Sequence, residues 1–141
     1  MLLMRNLDAC YTACPILDDE QIEAYLCRGD VPTGAAYLEV PPTKVVHKRG
    51  FWLRPHHRMH HTAAIFLIST DVYAMNADDH SERRDQIYCY RSPLANTAYL
   101  GRVEILDCQH TTLSPLIDSL HAPLDIQACH LVYVGRVIAA I

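Results

Sequence analysis

Cations and imidazoles are concentrated in residues 44–61. This segment holds five Lys or Arg, five His and no acidic residue, although the whole chain has a formal net charge of −4. Fixed cations attract carboxylates and phosphates, and interleaved aromatic rings stack on nucleic-acid bases. The segment therefore predicts a basic, His-rich binding surface for an acidic protein partner or for nucleic acid. Its candidate contact residues are Lys44, Lys48, Arg49, Trp52, Arg54 and Arg58.

Two further properties of this segment follow from its residue types. Trp side chains are mostly buried in folded proteins, so the alternative to a stacking surface is a solvated hairpin whose Trp52 packs into the core. The five imidazoles titrate near neutral pH, which raises the formal charge of the segment as the pH falls. Binding of an acidic partner through this segment is therefore expected to strengthen near pH 6.

Two pairs of residues have the spacing of zinc ligands. Cys10 and Cys14 form a C-x₃-C pair, and His56 and His60 form an H-x₃-H pair. Structural zinc sites use four Cys or His ligands at spacings of this kind. These four residues predict a zinc site, and a zinc-stabilised nucleic-acid-binding domain is one alternative function. The favoured interpretation expects no cofactor, and this zinc ion is the alternative to it.

Two His-x-Thr tripeptides suggest a catalytic alternative. His60 and Thr62 precede one apolar strand pattern, and His110 and Thr112 follow another. This arrangement resembles the two-histidine phosphoesterase family, whose paired His-x-Thr/Ser motifs act on cyclic phosphates. The resemblance implies general acid–base roles for the two histidines and hydrogen bonds from the two threonines to phosphate oxygens. The chain contains no G-x-S-x-G elbow, P-loop or G-x-G-x-x-G motif, and a non-enzymatic function is favoured.

Local signals predict two helices that would position these residues. Asp18 is a good N-cap with Gln21 three residues later, and Gly29 is a typical helix stop, so a helix is predicted over 18–28. Ser114 followed by Pro115 predicts a second helix over 114–121.

The remaining patterns are typical of strands and turns. Strands are expected at 36–40, 44–48, 51–54, 62–69, 87–91, 102–106 and 131–138, with a tight hairpin turn at 49–50 and an exposed loop at 76–86. Because strands and helices do not alternate regularly, the predicted fold class is α+β. We expect a single domain, 1–141, with a mainly antiparallel sheet of about six or seven short strands and two helices.

The composition favours a small soluble protein. No apolar run approaches the roughly 20 residues that span a bilayer, and the N-terminus reaches Asp8 too early for a signal peptide. We therefore expect a cytoplasmic protein whose Cys27, Cys89, Cys108 and Cys129 are reduced and buried. The favoured function is a binding or regulatory module, an inhibitor or adaptor of the kind that phages and mobile elements carry. Open strand edges make a homodimer plausible.

Overall fold

A nine-stranded mixed sheet with one helical segment forms the described part of the chain. The computed structural model describes residues 12–44, 46, 49–56, 64–70, 86–107, 110–116 and 122–141. The strands are β1 (Ala13–Leu17), β2 (Tyr37–Glu39), β3 (Phe51–Leu53), β4 (Phe66–Ser69), β5 (Tyr88–Ser92), β6 (Thr97–Asp107), β7 (His110–Pro115), β8 (Leu124–Asp125) and β9 (Val132–Ala140). A 3₁₀ turn (Asp19–Gln21) leads directly into helix α1 (Ile22–Arg28).

The predicted α+β class with two helices is wrong, because the structure is mostly β with ten helical residues in its described part. Ser114 and Pro115, predicted to start a helix, belong to β7 and pair with Arg102 and Gly101 of β6. Long-range strand pairing has overridden the local cap signal, as tertiary context often does. The rest of the predicted helix, 117–121, lies outside the described residues.

The strand count also differs from the prediction. β1, β7 and β8 were not predicted, and β8 has only two residues, too few to show an alternating pattern. The predicted hairpin of 44–48 with 51–54 is wrong, since β3 pairs with β1 on one side and with β4 on the other. Residues 45, 47 and 48 lie outside the described residues, as does the predicted loop up to residue 85.

The helix predicted over 18–28 is confirmed. Asp18 accepts a hydrogen bond from the Glu20 N–H, and the Gln21 side chain accepts one from the Asp18 N–H, which completes the capping box. Gly29 ends the helix at φ 75°, a left-handed conformation that glycine adopts without a steric penalty. The described residues include no helix long and apolar enough to span a membrane.

One parallel strand pair positions the candidate site. The strand order is β2-β1-β3-β4-β9-β5-β6-β7-β8, and every neighbouring pair is antiparallel except β1 and β3. In that pair Ile16 lies opposite Trp52 and Leu17 opposite Leu53. The carboxyl ends of both strands therefore meet at one edge of the sheet, and Asp18 and Arg54 follow them directly.

Apolar side chains are buried on both faces of the sheet. On one face, Leu17 of β1 and Ile22 at the start of α1 pack with Phe51, Phe66 and neighbouring strand residues. Separate clusters form around Trp52 and around the tyrosines of β5. The four residues of β4 are all buried, which confirms a central strand for the described part of the apolar run 62–69. Burial on this scale holds β1 and β3 rigidly, and with them the residues at their ends.

Candidate functional site

A groove of about 520 Å³ opens at the carboxyl ends of β1 and β3. Its walls are residues 16–18 with Gln21, the loop 32–36, and residues 54–56. The loop turns sharply at Pro32, whose carbonyl accepts a hydrogen bond from the Ala35 N–H, with Gly34 at φ 78°. In open α/β sheets, ligands often bind in the crevice outside the carboxyl ends of the parallel strands, and the single parallel pair here forms a comparable crevice. The parallel pair thus gives the groove a rigid floor, and the turn gives it one wall.

Asp19 fixes the segment that carries the cationic wall of the groove. Its carboxylate is almost completely buried, with 1 % of the residue exposed. Oδ1 accepts a hydrogen bond from the His56 N–H at 3.1 Å, and Oδ2 accepts one from the Ala98 N–H at 2.8 Å. The Asp19 side chain therefore connects residues 54–56 to the start of β6 through two hydrogen bonds.

Arg54 is the fixed cation among the residues that the structure describes around the groove. Its backbone N–H donates to the Leu17 carbonyl, which holds it beside β1, and its side chain is exposed. Within the described residues the guanidinium has no carboxylate partner. His56 lies next to it, with Nε2 3.8 Å from Glu20 Oε1, and Asp18 is already engaged in capping the helix. A planar guanidinium of this kind can bind a carboxylate through two parallel hydrogen bonds.

The other predicted cations do not join Arg54. Arg49 precedes β3 and Arg54 follows it, so about 16 Å of strand separates their backbones. The Arg49 guanidinium donates to the Tyr25 carbonyl at 2.8 Å in the last turn of α1, where a cation stabilises the helix end. Lys44 is exposed in a turn closed on Pro41 and does not line the groove. Lys48 and Arg58 lie outside the described residues.

The two aromatic rings of the segment are inside the protein. Phe51 and Trp52 are buried, with 0 % and 1 % of the residue exposed, and the Trp52 indole N–H donates to the Leu38 carbonyl at 3.2 Å. Neither ring can stack on a nucleic-acid base. Trp52 is therefore a core residue in the structure and not part of an exposed contact surface.

The structure does not bring Cys14 and His56 together. Cys14 is buried among apolar side chains in the middle of β1, whereas His56 is exposed three residues past the end of β3. Burial raises the pKa of the Cys14 thiol to about 11, so zinc would have to displace a firmly held proton. Among the described residues no cluster of three potential metal ligands occurs. Cys10 and His60 lie outside those residues.

The described cysteines divide into two groups. Cys14 and Cys89 are buried, and burial raises the pKa of both thiols. Cys27 and Cys129 are exposed, which is contrary to the prediction of burial. All four are free thiols.

A second cluster of polar residues lies near the far edge of the sheet. His110 Nδ1 is 3.2 Å from Asp125 Oδ2, and Thr112 pairs with Asp125 across β7 and β8. The Ala128 N–H donates to the other carboxylate oxygen, and this bond, together with that to His110, lowers the pKa of Asp125. A carboxylate that orients an exposed imidazole is the arrangement of a general base. The other half of the predicted site, His60 and Thr62, lies outside the described residues.

The chain matches no protein-family model, no curated protein and no solved structure. The groove and the His110–Asp125 pair, both in the described part of the chain, are features from which a function can be inferred.

Several residues of the groove were not predicted as site residues. Asp18 and Asp19 are acidic residues at a helix start, a position that indicates capping rather than function. The loop 32–36 carries a Pro-Thr-Gly turn signature that predicts a turn but not its position beside Arg54. Only the parallel pairing of β1 with β3, a contact between residues 36 positions apart, reveals the groove.

Proposed function

We propose that this protein is a cytoplasmic binding module, an inhibitor or adaptor, whose groove holds an acidic side chain of a protein partner. The observation that carries the proposal is the exposed Arg54, which lines a rigid groove and has no carboxylate partner among the described residues. In this proposal, the part of the predicted 44–61 surface that binds the partner is residues 54–56, which line the groove.

The charges around the groove favour one isolated carboxylate over an acidic run. Among the described groove residues Arg54 is the fixed cation, whereas Asp18 lines the groove and Glu20 lies 3.8 Å from the His56 ring. Several neighbouring carboxylates on the ligand would be repelled by these two acids. A partner loop with a single Asp or Glu would gain the Arg54 interaction without that repulsion, and the uncharged wall at 32–36 would accept its flanking residues.

Nucleic acid is the less favoured ligand. Single-stranded binding uses exposed aromatic rings together with cations that follow the backbone. Phe51 and Trp52 are buried, and the described cations Arg49 and Arg54 lie at opposite ends of β3. The features on which a nucleic-acid interface depends are therefore not assembled in the described residues.

Arg54→Ala is expected to weaken partner binding about tenfold. The partner probe is a decapeptide selected from a phage-displayed random library on the wild-type chain, synthesised with a fluorescent label. Affinity is measured by fluorescence anisotropy at two salt concentrations. Lys44→Ala is the matched control, because it removes an exposed cation of the same segment outside the groove, and it is expected to bind normally.

Three results would contradict the proposal. One is equal affinity of the wild-type chain and Arg54→Ala for every selected peptide. Another is an equal loss of affinity in Lys44→Ala, which would indicate non-specific charge attraction. The third is preferential binding of labelled oligothymidylate with a steep dependence on salt, which would favour nucleic acid.

The His110–Asp125 pair supports a second candidate function, phosphoester hydrolysis. The pair holds the imidazole with Nδ1 toward the carboxylate, so Nε2 is available for proton transfer. If this function is present, His110→Ala will lower the turnover of cyclic nucleotides by about a hundredfold or more, because general acid–base catalysis is lost. His130→Asn, which alters another exposed histidine, is the control. Turnover unchanged in His110→Ala would exclude this candidate.

A further inference from the structure

The outer edge of the sheet at β2 offers unpaired backbone groups in a regular pattern. β2 is the first strand in the sheet order, with β1 as its only neighbour among the described strands. The Ile16 N–H donates to the Ala36 carbonyl and the Val40 N–H to the Thr12 carbonyl, which places the hydrogen-bonded pairs at every second residue. Leu38 therefore directs its N–H and C=O toward β1.

The backbone N–H and C=O groups of Tyr37 and Glu39 point away from β1. In this register their N–H and C=O groups point outward from the sheet, and within the described residues these four groups have no partner. Two donors and two acceptors spaced two residues apart are what an added strand would pair with. Natural proteins usually cover or shorten such an edge, and this one is short and is not covered by any strand in the described part of the chain.

A groove of about 460 Å³ lies beside this edge. Its lining includes the three residues of β2, Pro41, Trp52 and Ile141. The Trp52 indole N–H bond to the Leu38 carbonyl fixes one wall. Tyr37 and Ile141 are among the most exposed large apolar residues, at 56 % and 60 %, and both line this groove. An open strand edge and an exposed apolar groove therefore coincide.

We propose that β2 binds an extended segment of a partner protein, which adds to the sheet as a tenth strand. One apolar side chain of that segment enters the groove, and a Lys or Arg lies beside Glu39, whose exposed carboxylate has no cationic partner in the described residues. Backbone bonds to Tyr37 and Glu39 give the affinity, and the groove and Glu39 give the selectivity.

A second copy of the chain fits this edge less well. Two copies of β2 would share only three residues each, bounded by Pro41 and Pro42 on one side and by the Gly34 turn on the other. So short a ladder buries far less than the roughly 1,200 Å² typical of a stable interface. A partner segment can extend beyond β2 and fill the groove, which the second copy of β2 cannot.

Glu39→Pro tests the added strand directly. Of the backbone groups that pair with neighbouring strands, proline removes only the outward N–H of residue 39, because the bonds to β1 come from Leu38, and edge strands tolerate proline at such positions. Proline also removes the Glu39 carboxylate, and Glu39→Gln measures that loss separately. The probes are labelled library decapeptides that bind wild type and Arg54→Ala equally, so that failure of the Arg54 groove does not affect this test. We expect Glu39→Pro to bind them about tenfold more weakly and Glu39→Gln to lose affinity only for peptides with Lys or Arg.

N-methylation of the peptide gives a second measurement that does not depend on folding of the variant. Methylating each peptide amide in turn should weaken binding to wild type at every second position, the period of a strand ladder. Circular dichroism checks that Glu39→Pro is folded. Equal binding by Glu39→Pro, a flat N-methyl scan, failure to select any such peptide, or a wild-type dimer that Glu39→Pro dissociates would each overturn the proposal.

Discussion

Trp52→Ala will destabilise the protein by about 3–5 kcal/mol, because it empties a large site in the core. Trp52 is 1 % exposed and packs with Val40, Val46 and Leu67 between β2 and β4. Its indole N–H also bonds to the Leu38 carbonyl, which joins β3 to the edge strand across β1. The loss is a large part of the 5–15 kcal/mol that holds a typical small domain folded.

Urea denaturation followed by circular dichroism measures this change. Trp52→Phe is the matched control, because it keeps an aromatic ring in the site and loses only the outer ring and the hydrogen bond, at a cost of about 1–2 kcal/mol. Trp52→Phe should bind the selected acidic peptides as wild type does. A loss below about 1 kcal/mol in Trp52→Ala, or loss of peptide binding in a stable Trp52→Phe, would indicate a contact residue instead.

Asp19→Ala is expected to have the second large effect, a loss of about 3–5 kcal/mol. Its carboxylate accepts hydrogen bonds from the His56 N–H and the Ala98 N–H in a site with 1 % exposure. Alanine leaves the buried Ala98 N–H unsatisfied and also removes the part-buried bond from the His56 N–H, and each such group costs about 1–3 kcal/mol. The same change frees the segment that carries Arg54, so Arg54-dependent peptide binding should weaken as well.

Two variants separate the role of Asp19 from a general effect of charge at the helix start. Asp19→Asn keeps one carbonyl acceptor and should lose about half as much stability as alanine. Glu20→Ala removes a neighbouring exposed carboxylate and should change the free energy of unfolding by less than about 0.5 kcal/mol. Similar losses in Asp19→Ala and Glu20→Ala would show that the hydrogen bonds from the His56 and Ala98 N–H groups to Asp19 contribute little to stability.

The parts of the fold that depend on near neighbours in the chain were predictable. Asp18, Gln21 and Gly29 act within one helix, and each occupies the position that the sequence indicates. The buried strand β4 was also visible, since a continuous apolar run is typical of a strand covered on both faces. In both cases the signal lies within about ten residues.

The parts that depend on distant pairing were not predictable in the same way. Ser114 and Pro115 carry a helix-start signal, yet β6 pairs with them as a strand. Trp52 and Arg54 are two residues apart in a basic segment, but Trp52 lies within the buried strand β3, whereas Arg54 follows the end of that strand and lines the groove. The composition of residues 44–61 indicates one continuous binding surface. In the folded sheet, the described residues of this segment lie in different places, some in the core and others on the surface.

A double-mutant cycle measures whether Arg54 binds an acidic side chain of the partner. The cycle combines Arg54→Ala with Asp→Asn or Glu→Gln in a selected decapeptide, and titration calorimetry measures all four affinities. If the two groups are in contact, the coupling energy will be about 1 kcal/mol or more, and the peptide change will have little effect on Arg54→Ala. A coupling energy near zero for each acidic residue of the peptides would contradict a contact between Arg54 and an acidic side chain.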